Sequence, residues 1–351
     1  MKAAVWFGRK DVRVMDVPEP SAPRAGEVKI KVQWCGICGT DLHEYLAGPI
    51  FINTEPHPLT GHKAPVILGH EFAGDIVEVG PGVDSLKVGD RVTADACQHC
   101  GKCYFCQRNM TQLCQQVAFT GLNANGAFAE YVNVPVNTLY KLSDNISYEA
   151  GALIEPLAVG FHAVRQAPLL AGESVVILGA GTIGLSTLQA ARAAGASKIF
   201  VIEVARARKE YALKLGATAV FDPTEVDVVQ KVREATGGLG ADVSLECIGH
   251  EKTVPLAIDL ARSAGKVVLV GIPERESSMN FFGVVATEKK ITGCLCYNGE
   301  FAPVIDLLGD GRLQAEPLIT GKIKIDDIVN KGFEELVNNK EQNIKIIVTP
   351  W

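Results

Sequence analysis

The sequence predicts an α/β chain in two parts, a β-rich, barrel-like domain and a doubly wound parallel sheet, on three observations. Residues 27–34 (EVKIKVQW) alternate strictly, with Val28, Ile30, Val32 and Trp34 on one face, which is the period of a half-buried strand. Residues 174–178 (SVVIL) form an unbroken apolar strand, followed by a glycine-rich turn and a run of small residues with helical character. Further apolar strands at 198–202, 242–246 and 266–270 alternate with helical patterns, the order of a parallel sheet covered on both faces.

Each region has its own signals. Residues 72–79 and 87–93 are expected to be short strands, punctuated by Gly80, Gly82 and Gly89. The character of the chain changes near Glu155, where strand–helix alternation begins, and changes again near Tyr297. A last strand at 344–348 is expected to return to the first domain. No internal repeat and no low-complexity segment interrupts this order.

Composition narrows the function classes. The 351 residues are enough for about two domains at roughly 150 residues each. A net charge of −6 without a basic block excludes nucleic acid as an expected partner. Arg9, Lys10 and Asp11 break the first apolar run too early for a signal peptide, and no stretch approaches the roughly 20 apolar residues of a membrane span. The expected location is therefore the cytoplasm, without a membrane partner. In a reducing compartment a tight cluster among the ten cysteines reads as a metal site before it reads as disulfides.

The turn after residues 174–178 is Gly179-Ala180-Gly181-Thr182-Ile183-Gly184. A strand before it and a helix after it turn a weak pattern into a dinucleotide-binding loop. The first glycine permits the turn, the second lets backbone approach a pyrophosphate, and the third lets helix pack on strand. The phosphates are expected on the amides at the helix start, beside Ile183. Glu203 follows Gly184 by 19 residues at the end of the second strand, where an acid takes the ribose hydroxyls. A carboxylate there repels a 2′-phosphate, which favours NAD over NADP. Arg206 and Arg208 stand close enough in sequence to bear on that choice, and Arg208 counts among the candidate cofactor-binding residues.

Cys100, Cys103, Cys106 and Cys114 follow C-x2-C-x2-C-x7-C. Four thiolates within fifteen residues can wrap one tetrahedral zinc with no open position, a structural site. A redox pair or an iron–sulfur cluster is the competing reading, and Cys97 and His99 just upstream are surplus to the count. A second constellation is dispersed: Cys38 within Cys35-Gly36-Ile37-Cys38-Gly39-Thr40-Asp41-Leu42-His43, then Gly69-His70-Glu71, then Glu155-Pro156. A thiolate, an imidazole and one or two carboxylates make an open, catalytic type of zinc site.

These motifs, in this order over essentially the whole length, resemble those of the zinc-dependent medium-chain alcohol and polyol dehydrogenases. The resemblance implies a GroES-like catalytic domain over residues 1–157 and 297–351, interrupted by a Rossmann NAD-binding domain over 158–296. It implies two zinc ions per chain. Cys38, His70 and Glu155 resemble the catalytic ligands, with Glu71 approaching or binding the metal during turnover and Glu155 binding directly or through water. It implies that Thr40 and His43 relay a proton to solvent, that the backbone around Val270, Ile272 and Leu295 orients the nicotinamide, and that the chain forms a homodimer or homotetramer. Residues 48–63 form an insertion bearing prolines and histidines, and it closely resembles that of the (R,R)-2,3-butanediol dehydrogenases. His57 and His62 within it are expected to be loop residues rather than ligands. The implied reaction is hydride transfer between NAD and a small secondary alcohol, (2R,3R)-2,3-butanediol giving acetoin and the reverse. Sorbitol-type polyol dehydrogenase and L-threonine 3-dehydrogenase are the alternatives. A zinc-free or non-enzymatic member of the fold is the remote one, which the presence of Cys38, His70, Glu71 and Glu155 argues against.

Overall fold

Alternation along residues 27–36 decides the centre of the first unit. Strand Glu27–Gly36 buries Val28, Ile30 and Val32 completely and pairs with three neighbours, so both its edges are used. The computed structural model describes residues 1–273 and 275–351. They divide into one unit of Met1–Glu155, Phe301–Gly309 and Ala315–Trp351 and another of Pro156–Glu300 and Asp310–Gln314.

In the first unit a seven-stranded sheet runs Leu139–Lys141, Arg91–Ala94, Glu71–Val79, Glu27–Gly36, Lys345–Thr349, Ile319–Lys324, with Tyr131–Pro135 also on Glu27–Gly36. The strand expected at 87–93 starts only at Arg91. Asp90 accepts the Lys87 amide and Gly89 takes φ +90°, so residues 87–90 turn instead of extending. The carboxyl end of Glu27–Gly36 leads through Ile37 and Cys38 into helix Gly39–Ala47. Cys38 is its N-cap, and the Asp41 carboxylate accepts the Cys38 amide at 2.9 Å, closing a capping box.

The second unit is a six-stranded parallel sheet in the order Ala219–Phe221, Lys198–Ile202, Ser174–Leu178, Ala241–Glu246, Ala261–Leu269, Lys290–Gly293. Strand Ser174–Leu178 and, after its first residue, strand Lys198–Ile202 read as continuous apolar runs, as expected of a parallel sheet covered on both faces, whereas Ala241–Glu246 interleaves Asp242, Ser244 and Glu246 with apolar residues. Strand order reverses between Ser174–Leu178 and Ala241–Glu246, and the crevice at their carboxyl ends is where doubly wound sheets bind ligand. Among the described residues no helix is long and apolar enough to cross a membrane.

Candidate active site and metal centres

The dinucleotide loop has the geometry its glycines require. Gly179 takes φ +94°, and a Cβ on Gly184 would sit 1.9 Å from the Gly179 carbonyl oxygen. Helix Thr182–Ala193, which contains Ile183, begins directly after the loop. Glu203 follows strand Lys198–Ile202, and its carboxylate accepts the amides of Ala180 at 2.8 Å, Val204 at 2.8 Å and Ala205 at 2.9 Å. Three of its roughly four acceptor positions are thus used within the chain, leaving about one for a ligand hydroxyl. The two arginines separate: Arg206 is 94% exposed and faces Glu210, whereas an Arg208 guanidinium nitrogen lies 3.7 Å from where a Gly181 Cβ would be. Val270, Ile272 and Leu295 all lie just beyond the carboxyl ends of Ala261–Leu269 and Lys290–Gly293, on the ligand-binding edge, and Ile272 and Leu295 are about half exposed. Glu246 was not singled out by sequence. Its buried carboxylate accepts the amides of Ile248 and Gly249 and the Thr253 hydroxyl, which fixes the loop after the fourth strand.

The four cysteines meet. The sulfurs of Cys100, Cys103, Cys106 and Cys114 lie within 4.8 Å of one another, with Cys103–Cys106 at 3.5 Å and Cys103–Cys114 at 3.9 Å. A tetrahedral zinc with ~2.3 Å bonds to sulfur has sulfur–sulfur edges of about 3.8 Å, so the spacing fits that ion. Amides of Cys106 and Gln115 hold the Cys103 thiol down to about 6, favouring the thiolate a metal needs. The Cys114 sulfur accepts amides from Cys100 at 3.4 Å and Gln116 at 3.3 Å. His99 Nδ1 is 4.0 Å from the Cys106 sulfur, at the cluster's margin.

The dispersed constellation also meets. Ligand atoms of Cys38, His70 and Glu71 lie within 4.8 Å of one another. Glu155 lies outside that group; its carboxylate is buried and close enough for its charge to act on Cys38 and His70. Thr40 Oγ1 is 3.7 Å from the Cys38 sulfur, and His43 is one turn along the same helix. His57 is a loop residue: its Nδ1 accepts the Leu59 amide and its Nε2 faces the Val117 carbonyl at 3.2 Å.

Two members of this site escaped the sequence reading. Asp41 is fully buried, with one oxygen 3.6 Å from His70 Nδ1, which leaves Nε2 for a metal. Lys345 is 2% exposed and donates to both Glu71 oxygens at 2.7 Å and to the Ile37 carbonyl at 2.7 Å. Gly36 makes room for this pair, since a Cβ there would lie 2.2 Å from a Glu71 oxygen. The signal that could have found Lys345 is a lysine inside the apolar strand NIKIIV.

Charge decides what this cluster can bind. Burial pushes the Cys38 thiol well above its ordinary value, and the charges of Glu71, Glu155 and Asp41 add to that, against Lys345. Burial likewise raises Asp41. Burial opposes charging His70, but Asp41, Glu155 and Glu71 outweigh it and raise its pKa. Three buried carboxylates and a thiol thus face one ammonium and one imidazole. A divalent cation removes that imbalance and reverses the penalty on the thiolate.

A two-domain chain with a thiol–imidazole–carboxylate cluster, a four-sulfur lobe and a dinucleotide loop is a zinc-type dehydrogenase. Residues 24–144 match the alcohol dehydrogenase GroES-like domain family, and residues 182–310 match the zinc-binding dehydrogenase family. The chain belongs to the zinc-type medium-chain alcohol dehydrogenases and is an oxidoreductase. It is 43% identical to an (R,R)-butanediol dehydrogenase of Bacillus subtilis over all of both chains. It is 39% identical to one of Neisseria gonorrhoeae, over all of this chain and 99% of that one. The crystal structure of 2R,3R-butanediol dehydrogenase from Bacillus subtilis superposes with a TM-score of 0.93 at 42% identity, covering 100% of this chain and 99% of that one.

The Lys345–Glu71 pair should carry measurable stability. Lys345→Met leaves a buried carboxylate without its partner and should cost about 3–5 kcal/mol. Adding Glu71→Leu should recover most of that loss. Urea unfolding of the three proteins checks it, and a Lys345→Met cost below about 1 kcal/mol would contradict the pairing.

Proposed function

We propose that this enzyme oxidises (2R,3R)-2,3-butanediol to acetoin with NAD and catalyses the reverse reduction. The observation that carries the reading is the Cys38–His70–Glu71 cluster, a half-buried thiol with a buried imidazole and carboxylate, in the same chain as a dinucleotide loop. Three protein ligands leave the fourth position of a tetrahedral ion for substrate. Cys38, His70 and a carboxylate, Glu155 or Glu71, would hold the catalytic zinc, and Cys100, Cys103, Cys106 and Cys114 would hold the structural one. Whole-length similarity to (R,R)-butanediol dehydrogenases supports the choice of alcohol.

When bound, zinc supplies Lewis-acid polarisation of one substrate hydroxyl, and NAD supplies the hydride acceptor. Thr40, beside the Cys38 sulfur, would accept the substrate hydroxyl's proton while giving up its own, which would pass through the nicotinamide ribose to His43. His43, three residues on and on the same helix face, passes the proton toward solvent. Lys345 holds Glu71 through both oxygens and fixes its carboxylate beside Cys38 and His70. Glu203 sets coenzyme choice by accepting a ribose hydroxyl and repelling a 2′-phosphate.

The enzyme works as a homodimer or homotetramer in this reading. Strand Lys290–Gly293 is a sheet edge, and helix Phe281–Ala286 in the same unit exposes Phe281, Phe282 and Val285 by 71%, 78% and 75%. Sedimentation velocity should give a multiple of the 37.5 kDa chain mass, and Phe282→Asp should lower it.

Initial rates with the three 2,3-butanediol stereoisomers, sorbitol and L-threonine, each with NAD and NADP, test the assignment. The (R,R) diol with NAD should show the highest kcat/KM, and sorbitol or threonine at an equal or higher value would overturn the substrate reading. Glu203→Ala should raise the NADP/NAD ratio of kcat/KM at least tenfold, about 1.4 kcal/mol. NAD efficiency should fall as well, because the Ala180 amide loses its acceptor. An unchanged ratio would remove Glu203 from coenzyme selection.

A further inference from the structure

A buried carboxylate that the reaction does not use sits one turn beyond Thr40. Glu44 is fully buried, and its side chain accepts three successive amides of the insertion. The Ile50 amide reaches its two oxygens at 3.2 and 3.0 Å, the Ile52 amide reaches one at 3.2 Å, and the Phe51 amide lies between them on the same oxygen. The Glu44 carbonyl accepts the Trp6 indole at 3.1 Å and the Gly48 amide at 3.0 Å, so its own backbone is held too. The same stretch is gripped from the other side. Asn123, 5% exposed, donates to the Phe51 carbonyl at 2.7 Å and to Asn53 Oδ1 at 2.6 Å. Its carbonyl accepts the Thr60 hydroxyl at 2.5 Å, and its Oδ1 accepts the Phe119 amide at 2.9 Å.

The result is a short segment fixed through its three amides and the Phe51 carbonyl while two of its side chains, Ile50 and Phe51, are left 51% and 37% exposed. Free loops do not bury a carboxylate to hold apolar side chains in the open, because burying a charge costs free energy unless every lone pair is satisfied. Thr40 and Glu44 are four residues apart on helix Gly39–Ala47 and therefore share a face, about 6 Å apart along the axis. The clamped segment is therefore held to helix Gly39–Ala47 at Glu44, one turn from Thr40, which contacts Cys38.

We propose that Glu44 is a positioning residue for substrate specificity, fixing Ile50 and Phe51 as an apolar wall beside the zinc-ligand helix. The wall accepts a methyl flank and rejects a hydroxylated carbon. This rests on the butanediol reading above. Glu44 touches neither substrate nor metal and acts only through Ile50–Ile52. In Glu44→Gln the charge that draws the three amides together is lost and the new NH2 sets a donor against the Ile50 amide, which loosens the segment. Phe51→Ser removes part of the wall and leaves the carboxylate and its three amides intact.

The experiment measures kcat and KM for (R,R)-2,3-butanediol and for sorbitol in wild type, Glu44→Gln, Phe51→Ser and the double variant. In Glu44→Gln the diol KM should rise at least tenfold while kcat stays within about threefold, and the diol/sorbitol ratio of kcat/KM should fall at least tenfold. Phe51→Ser should lower the same ratio, and the double variant should be no worse than the larger single effect, because both act on one wall. If Glu44→Gln does not fold, Phe51→Ser alone decides, since its side chain is surface-exposed. A ratio unchanged in Phe51→Ser, or a Glu44→Gln loss confined to kcat, would overturn the inference. A wild type that prefers sorbitol would overturn the butanediol reading together with this inference. A wild type that prefers the diol with an unchanged ratio in the variants would overturn only the inference.

Discussion

The rest of the active-site unit depends on one electrostatic constraint: the buried carboxylates of Asp41, Glu71 and Glu155 are gathered around the half-buried thiol of Cys38. Isolated buried charges are not tolerated, so the fold must answer each one. Lys345 answers Glu71 from the strand across the sheet, and the Cys38 amide and His70 answer Asp41. What is left over is the thiol of Cys38 and the second nitrogen of His70, which are metal ligands by their chemistry. Burial penalises the free thiolate, so ion binding and ionisation are one event.

That constraint explains the sheet order. Glu27–Gly36 pairs with Glu71–Val79 on one side and with Lys345–Thr349 on the other. Cys38 just after that central strand, Glu71 from one neighbour and Lys345 from the other are therefore brought to one end of it, with Gly36 as the point of closest approach. The C-terminal segment completes the pocket, because without Lys345 the Glu71 carboxylate would be buried alone. The second unit solves a separate problem, the binding of an anionic pyrophosphate, with backbone amides instead of side-chain charge.

How much of this was legible in the sequence follows from the range of each interaction. The four cysteines close within fifteen residues, and the glycine loop is a turn between a strand and the next helix, so spacing alone displays both. Cys38, His70 and Glu155 were visible as residue types in segments resembling a known family, although the structure groups Cys38 and His70 with Glu71 and leaves Glu155 outside. Lys345 was not singled out because its partner is 274 residues away, and a lysine in an apolar strand does not say which carboxylate it meets. Glu44 and Asn123 were hidden for a different reason: both bind backbone amides or carbonyls, which carry no sequence signature. The strand expected at 87–93 fell short at a turn closed by a single Asp90 side chain, which outweighed the alternation of its neighbours.

Anomalous X-ray diffraction at the zinc edge from crystals of the zinc-loaded enzyme tests the central claim most directly. The account predicts two peaks per chain, one enclosed by Cys100, Cys103, Cys106 and Cys114 and one bonded to Cys38 and His70 with Glu71 or Glu155 nearby. A fully occupied peak at the four cysteines with none between Cys38 and His70 would contradict it. The buried carboxylates and thiol would then have to be neutralised by protons, and the site would not be a metal centre.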